Sequence, residues 1–309
     1  MTQTLSLHFS RWLHDGRLFA VLAAAGFSMK AVFVKLAYAA APVDAVTLLA
    51  MRMGFALPLF LWLILRTSEG ASRLSAGDGM RVLMLGCVGY YLSSLFDFYG
   101  LTYITAGLER MILYLYPTLV LLLQAWMSRQ PPGKQAWQAM AICYAGLAIA
   151  FAHDLRQSGQ GVDVITGAAW VFASAVTYAF YYHGTGSMVG RIGSTRLAGL
   201  AGSASCLLVL GHFFLFGQPQ ALATLPAAVW GHALMMAVFS TVLPVWWLSL
   251  AIQRLGAGQA AAIGTMGPVM TVFAAWLLLG ESMSLLQLAG LALVMFGITR
   301  LKAKPAAGR

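Results

Sequence analysis

The chain has 309 residues, of which 60% are hydrophobic and only 9% are charged, whereas a soluble domain has about 25% charged residues. This composition excludes a soluble globular protein, because a water-facing surface needs more polar side chains than the sequence contains. The net charge of +10 would indicate nucleic-acid binding in a soluble protein, but in a membrane protein it reflects where the cationic residues lie.

Ten apolar segments predict transmembrane helices, because about 20 mostly apolar residues span a bilayer as a helix. Their unbroken apolar runs exclude a transmembrane barrel, whose strands alternate apolar and polar residues. We therefore expect an all-α polytopic membrane protein with ten transmembrane helices. The predicted spans are Leu18–Ala39, Val46–Leu65, Val82–Thr102, Gly107–Met127, Trp137–Ala152, Ile165–Tyr182, Leu197–Phe216, Val229–Ile252, Gly258–Gly280 and Leu285–Leu301.

The Lys and Arg residues between the spans predict the orientation of the chain. With the N-terminus in the cytoplasm, fourteen of them fall on the cytoplasmic side and only Arg156 falls in an outer loop. Because cytoplasmic loops carry the excess of Lys and Arg, we expect both termini to be cytoplasmic. The first apolar segment lacks a cleavage site, so no signal peptide is expected, and a bacterial-type inner membrane is the predicted location. The three cysteines are expected to be buried hydrophobic residues, with no metal site.

Ionisable residues inside the spans are candidates for function, since a charge in the bilayer is expensive. Lys30 lies halfway along the first span, so we expect it to stand alone near the bilayer centre. It is expected either to bind a substrate carboxylate or to be held by backbone carbonyls. A second set lies in the outer halves of its helices and is expected to pair internally, as a structural network or as an outer gate. These residues are Lys35, Arg52, Asp97, Glu109 and Arg110.

Polar and aromatic residues at helical spacing on the third, sixth and eighth spans predict a cavity between the helices. Each residue alone is more typical of helix packing or of an interfacial anchor. Three such faces, drawn from both halves of the chain, favour a mixed polar and aromatic cavity. The expected substrate-binding residues are Phe27, Lys30, Tyr90, Ser94, Tyr114, Trp170, Thr177, Tyr178, Trp247 and Met266.

An internal repeat relates the two halves of the chain. Under a shift of 151 residues, small and helix-bending residues coincide: Gly107 with Gly258, Pro117 with Pro268, and Gly146 with Gly297. Five spans per half make the halves an inverted pair, which in transporters places the substrate site near the midplane. We expect the first repeat over residues 1–155 and the second over residues 156–309. The matched prolines predict helix kinks, or hinges for alternating access.

The stretch from Gly256 to Gly297 resembles the second EamA repeat of the drug/metabolite transporter superfamily. Arg52 stands where the first repeat of that family usually has an arginine. The first half departs from the family pattern, because Arg129-Gln130-Pro131-Pro132 replaces a Gly-Glu turn and Phe27 replaces a common tryptophan. The matching residues of the second half are Ala257-Gly258, Pro268, Trp276, Leu279-Gly280-Glu281, Leu286-Gln287, Gly290 and Gly297.

The resemblance implies a transporter that exports small amphipathic metabolites, with the YddG-type amino-acid exporters as its nearest branch. We expect amino acids as substrates, including aromatic or neutral ones, moved by alternating access without ATP or a cofactor. The expected partners are the solute and membrane lipid, with no nucleic acid, and a monomer is preferred. Drugs or lipid-linked sugars are the alternative cargo. A membrane-embedded enzyme or receptor is the alternative of another class.

Several motifs are missing or weak. The glycine pattern from Gly184 to Gly190 lacks the spacing and preceding strand of a nucleotide-binding loop and predicts a loop after the sixth span. No hydrolase or zinc-protease motif is present. Glu281 is expected to serve a helix end. Because no acidic residue is expected near the midplane, facilitated diffusion or exchange is favoured over proton coupling.

Overall fold

A computed structural model describes residues 16–67, 74–158, 161–255 and 257–301. Within these ranges the chain is helical and contains no strand, which confirms the all-α prediction. Helices are the expected outcome, because a helix pairs its own backbone groups where no water is available. Five of the fourteen Lys and Arg residues predicted to be cytoplasmic lie outside the described ranges, namely Arg11, Arg73, Lys302, Lys304 and Arg309, and so does Gly256 of the family resemblance.

The described ranges contain the ten apolar helices that the sequence predicts. Nine helical segments of the described chain are long and apolar enough to cross a membrane, and the last helix is a shorter apolar one of 16 residues. The helices are α1 (Gly16–Ala40), α2 (Ala45–Thr67), α3 (Ala76–Gly100), α4 (Ala106–Ser128), α5 (Lys134–Ser158), α6 (Gly161–Ile192), α7 (Ser194–Phe216), α8 (Ala227–Leu255), α9 (Ala257–Gly264 with Gly267–Leu279) and α10 (Leu285–Arg300).

Because successive helices run in opposite directions, their ends form two faces of the bundle. We call one the basic end; it carries the cationic residues Arg66, Arg191, Arg254 and Arg300 near helix termini. The other, called the opposite end, carries the connections from α1 to α2, α3 to α4, and α9 to α10. The largest buried hydrophobic cluster is formed by α1, α2, α7 and α8, together with parts of α3.

The sixth helix is longer than predicted. It extends to Ile192, so the expectation of a loop from Gly184 to Gly190 is wrong. Glycine in a helix costs only about 1 kcal/mol relative to alanine. Gly184 also faces Leu85, since a Cβ at this glycine would lie 2.7 Å from a methyl of that leucine. Helix α6 ends at Gly193, whose φ of 81° is readily adopted only by glycine.

The two halves share backbone irregularities at positions 151 residues apart. Helix α3 contains a π-helical segment, Cys87–Leu92, and α8 contains one at Val238–Val242. Helices α4 and α9 are both interrupted in the middle, between Leu113 and Tyr116 and between Gly264 and Gly267. The second pieces of both helices end at residues in the left-handed conformation, Arg129 and Gly280.

Glycines permit a close helix contact between the halves, which joins α5 and α10. A Cβ at Gly146 would lie 2.6 Å from the carbonyl oxygen of Gly290, and a Cβ at Gly290 would lie 2.6 Å from that of Gly146. One turn away, the Cys143 thiol lies 3.6 Å from the Val294 carbonyl oxygen. Small residues thus let the two backbones approach, as is common between transmembrane helices.

Candidate functional site

The interruptions of α4 and α9 meet in the middle of the bundle. Pro268 has no N–H to donate to the Gly264 carbonyl four residues earlier, so this acceptor is freed by the break. The Tyr114 hydroxyl, at the interruption of α4, donates to that carbonyl at 2.9 Å. Tyr114 also packs directly against Gly267. The predicted proline kinks are therefore present, and side chains of one half satisfy backbone groups of the other.

Helix α1 supports the interruption of α9 from a second side. The Ser28 hydroxyl lies 2.9 Å from the Gly267 carbonyl oxygen and 2.6 Å from the Ala24 carbonyl oxygen of its own helix. Thr271 in turn donates to the Ser28 carbonyl at 3.1 Å. Ser28 and Thr271 are buried. Sequence reasoning missed both, because a serine or threonine inside a span usually bonds only its own helix.

Tyrosines from α3, α4 and α6 form a continuous cluster beside the interruption of α4. The rings of Tyr116 and Tyr178 are 5.1 Å apart, and those of Tyr90 and Tyr181 are 5.3 Å apart. The Tyr181 hydroxyl donates to the Tyr90 hydroxyl at 3.3 Å. We call this the tyrosine cluster, and its members are Tyr90, Tyr114, Tyr116, Tyr178, Tyr181 and Tyr182.

The structure thus brings together Tyr90, Tyr114 and Tyr178 of the predicted substrate-binding set. Tyr116 and Tyr182 were not predicted. Tyrosines spaced by two to four residues on two helices are visible in the sequence, but only the packing of α4 against α6 shows that they meet. Such a surface offers aromatic faces together with hydroxyl groups, which suits a solute with both apolar and polar parts.

A buried ionic cluster lies between α1, α3 and α4. Lys30 Nζ is 2.7 Å from Asp97 Oδ2 and 3.3 Å from Glu109 Oε1. Arg110 Nε is 3.7 Å from Glu109 Oε2, and Arg110 Nη2 donates to the Phe27 carbonyl at 2.7 Å. Asp97 and Glu109 are 1% and 0% exposed. We call Lys30, Asp97, Glu109 and Arg110 the ionic cluster.

This arrangement overturns the expectation that Lys30 stands alone. Its long side chain reaches two carboxylates that belong to other helices. The position of Lys30 along α1 gives the depth of its Cα atom only and does not reveal these contacts. The charge of Lys30 is therefore already matched within the protein. The expectation that acidic groups are remote from the central lysine is wrong for the same reason.

The predicted pairing of Lys35 and Arg52 with these carboxylates is also wrong. Lys35 Nζ donates to the Leu101 carbonyl at 3.2 Å. Arg52 Nη2 lies 3.5 Å from Ser94 Oγ, and its guanidinium carbon is 5.3 Å from the centre of the Phe98 ring. Within the described ranges, no carboxylate lies within 4.0 Å of either cation.

Glu281 joins the two halves at the opposite end of the bundle. Its carboxylate accepts from the backbone N–H groups of Ala106 at 2.8 Å and Gly107 at 3.2 Å, at the N-terminus of α4. Negative charge is favoured at that position of a helix. The prediction of a helix-end role is thus confirmed, although the helix served is α4 of the first half. Burial raises the pKa of the Glu281 carboxyl, while the two backbone donors oppose the shift.

The remaining predicted residues lie apart from the tyrosine cluster or contribute only local bonds. Trp170 packs against Phe96 and Tyr99 and is 36% exposed. Thr177 donates to the Ser174 carbonyl of its own helix. Met266 lies at the interruption of α9 and is exposed, and Trp247 is half-buried on α8. The regular stripe expected along α3 is interrupted by its π-helical segment, which changes the angle between successive side chains.

No metal site is formed by the part of the chain that the structure describes, since no three His, Cys, Asp or Glu side chains converge there.

Comparisons with known proteins give the same two-part organisation. A model of the EamA-like transporter family matches residues 15–152 and again residues 165–301. An uncharacterized transporter of Bacillus subtilis named YcbK is 32% identical over 92% of this chain and 91% of its own length. Another from the same organism, YyaM, is 22% identical over 81% of each chain.

An uncharacterized transporter of Archaeoglobus fulgidus is 25% identical over 86% of this chain and 91% of its own length. A protein crystal structure superposes with a TM-score of 0.65 over 92% of this chain and 94% of the other, at 17% identity. At that identity the superposition supports the fold alone.

Proposed function

The chain belongs to the EamA-like transporter family, and from this premise we propose that it exports small amphipathic metabolites, amino acids first. In this proposal, residues 1–155 and 156–309 form two inverted halves that expose a central site alternately to the two sides of the membrane. The movement uses no ATP. The proposed cargo enters from the cytoplasm. The family and the relatives support the broader statement that the protein is a membrane transporter.

The observation that carries the proposal is the contact between the interrupted helices of the two halves. Transporters of inverted-repeat design place their substrate sites where discontinuous helices meet near the bilayer midplane. Here Tyr114 of one half bonds the freed Gly264 carbonyl of the other. A solute that competes for this carbonyl or hydroxyl would couple its binding to the relative position of the halves. Pro117 and Pro268 are the proposed hinges.

The tyrosine cluster supports aromatic or neutral amino acids as the cargo. Its rings supply apolar contact area, and its hydroxyls supply donors and acceptors without net charge. We propose that Phe27, Tyr90, Tyr114 and Tyr178 line the site from one side and Met266 from the other. Lys30 contributes to closure of the opposite end, because its charge is matched by Asp97 and Glu109.

The charge distribution supports the proposed location in the cell membrane. The cationic residues at the helix ends favour a cell-membrane orientation with the basic end in the cytoplasm, since anionic lipid and the insertion machinery retain Lys and Arg there. In this orientation Glu281 and the ionic cluster belong to the outer half. Their contacts between α1, α3, α4 and the α9–α10 connection would separate when that side opens.

Transport by purified protein tests the proposal. Liposomes that contain the full chain should take up labelled phenylalanine, methionine or threonine faster than empty liposomes, without ATP. Tyr114→Phe removes the bond to Gly264 and should reduce the flux several-fold, whereas Tyr103→Phe, an exposed tyrosine at the opposite end, should not. No flux above the empty liposomes across the panel would refute amino-acid transport.

A second cargo class is supported by a groove at the basic end. The groove has a volume of about 440 Å³ and lies between α2, α7 and α8, with Trp62, Arg66 and Trp246 in its wall. An apolar drug or a lipid-linked sugar would need such a lateral opening toward lipid. Efflux of a lipophilic dye from the same liposomes, blocked by Trp246→Ala, together with no amino-acid flux, would favour this cargo.

A further inference from the structure

Arg52 is a cation inside the bundle that has no carboxylate within 4.0 Å among the residues that the structure describes and keeps unused hydrogen-bond donors. Arg52 lies in the second turn of α2 and is only 4% exposed. Its Nη2 lies 3.5 Å from Ser94 Oγ, and its guanidinium lies over the Phe98 ring. Its Nε and Nη1 atoms are buried and have no hydrogen-bond acceptor within the described ranges.

The nearby carboxylates are engaged by other cations. Asp97 contacts Lys30, and Glu109 lies between Lys30 and Arg110. Two carboxylates therefore balance two cations in the ionic cluster, and the charge of Arg52 is left unmatched. A guanidinium stays protonated in proteins, and a buried charge without a partner is strongly unfavourable. The site thus has both the charge and the unused donors to hold an anion.

We propose that Arg52 and Ser94 bind the carboxylate of the transported solute. This inference rests on the proposed transport function and names the group of the solute that the protein recognises. The planar N–H donors of arginine match carboxylate oxygens better than an ammonium does. The Ser94 hydroxyl supplies a further donor, and the Phe98 ring holds the guanidinium in place by a cation–π contact.

The position of Arg52 indicates the end of the bundle from which the solute would reach the site. It lies on α2 beside α3, in the half of the bundle that also holds the ionic cluster. Opening of the opposite end would expose the Arg52 guanidinium to the solute, and closing of that end would bury it again. Chloride offers the same anionic chemistry, so the experiment must separate an inorganic anion from a solute carboxylate.

Binding of two matched ligands to the purified full chain tests the proposal. Phenylalaninamide keeps the ring and the ammonium group of phenylalanine but lacks the carboxylate. Because a hydrogen bond to a charged group is strong, the wild type should bind phenylalanine at least about tenfold more tightly than the amide. Arg52→Gln should abolish this preference, and Arg52→Lys should retain only part of it.

Lys35→Gln is the matched control, since it removes a half-buried cation of the same half that bonds a backbone carbonyl. It should leave the tenfold preference intact. Equal binding of acid and amide by the wild type would overturn the proposal, and this measurement does not depend on whether Arg52→Gln folds. A preference that survives in folded Arg52→Gln or is undiminished in Arg52→Lys would overturn it as well.

Chloride is tested in a medium whose only other anion is the bulky buffer HEPES. If chloride stabilises the wild type against heat, does so less in Arg52→Lys, and fails to compete with phenylalanine, the site takes an inorganic anion and the proposal is wrong. Competition between chloride and phenylalanine supports it. Carboxylate-dependent binding that is lost in Arg52→Gln, without any amino-acid flux into liposomes, would refute the proposed amino-acid transport while leaving Arg52 as a carboxylate-binding residue.

Discussion

Lys30 holds two carboxylates that are almost completely buried, so its neutralisation should be costly. In Lys30→Met, Asp97 and Glu109 lose their nearest cation inside the bundle. Removing one partner of a buried ion pair typically destabilises a protein by about 3–5 kcal/mol. We expect thermal unfolding in detergent to show a loss of this size.

Lys35→Met serves as the comparison, because Lys35 bonds a carbonyl and contacts no described carboxylate. It should cost clearly less than Lys30→Met. The combined variant Lys30→Met, Asp97→Asn should recover most of the loss, since it removes one cation together with one carboxylate and leaves Glu109 paired with Arg110. Equal losses for the two single variants would argue against the ionic cluster as a stabilising unit.

Glu281 should make stability depend on pH. Burial raises the pKa of this carboxyl in the folded protein, so the folded state binds the proton more tightly than the unfolded state does. The resulting stabilisation is complete below the ordinary carboxyl pKa and is lost as pH rises through the raised value. The melting temperature of the wild type, measured relative to Glu281→Gln, should therefore fall as pH increases above about 4.5. A difference that is constant or rises with pH would contradict this sign.

The sequence identified the charged side chains inside the helices, but it was a poor guide to the partner that each of them contacts. Asp97, Glu109 and Arg110 were predicted to pair in one set with Lys35 and Arg52, and Lys30 was assigned to a different depth. Position along a helix gives the depth of Cα, whereas a lysine side chain extends several ångströms beyond it. Partners on separate helices also depend on how those helices rotate and cross, which a single sequence does not contain.

At the level of helices, the turn after α4 provides a test of backbone strain. Arg129 adopts a φ of 53°, and the equivalent Gly280 of the other half a φ of 66°. The left-handed region costs a non-glycine residue about 1–2 kcal/mol. Arg129→Gly should therefore raise the free energy of unfolding by about 1 kcal/mol, and Gly280→Ala should lower it similarly. Unchanged melting temperatures in both variants would refute the role of these caps.

Two glycine substitutions should differ in their effect on stability, because one glycine lies in the contact of α5 with α10 and the other lies in open space. A methyl group at Gly146 would collide with the backbone of Gly290 and push the helices apart, whereas Gly211 of α7 has open space around it. Gly146→Ala should cost roughly 1–3 kcal/mol by overpacking. Gly211→Ala should be neutral or stabilising by up to about 1 kcal/mol, because alanine favours helix. Thermal unfolding of the two variants side by side measures the difference.

Helix positions were predictable from the sequence because the apolar length needed to cross a bilayer is fixed. The interior of the helices was less predictable. Proline marked the interruptions of α4 and α9, since it removes a backbone donor. The π-helical segments Cys87–Leu92 and Val238–Val242 carry no comparable signal, and the glycines of α6 wrongly indicated a loop.

For the whole molecule, the repeat and the charge distribution together predict one orientation. Five helices per half predict that the second half is inverted relative to the first, and ten helices predict that both termini lie on the same side. Gly133 precedes α5 at the basic end, and Thr224 lies between α7 and α8 at the opposite end; both are exposed. Single cysteines at these positions, in a variant whose three native cysteines are replaced by alanine, therefore report the two faces separately.

In intact cells, a membrane-impermeant maleimide should label Thr224→Cys and should label Gly133→Cys only after the membrane is permeabilised. The physical reason is that Lys and Arg near the helix ends keep the basic end in the cytoplasm. The reverse pattern would place the ionic cluster and Glu281 in the cytoplasmic half, and export through an outer closure would then be wrong. Labelling of both sites in intact cells would instead indicate a mixed orientation, which an inverted repeat with weaker charge bias permits.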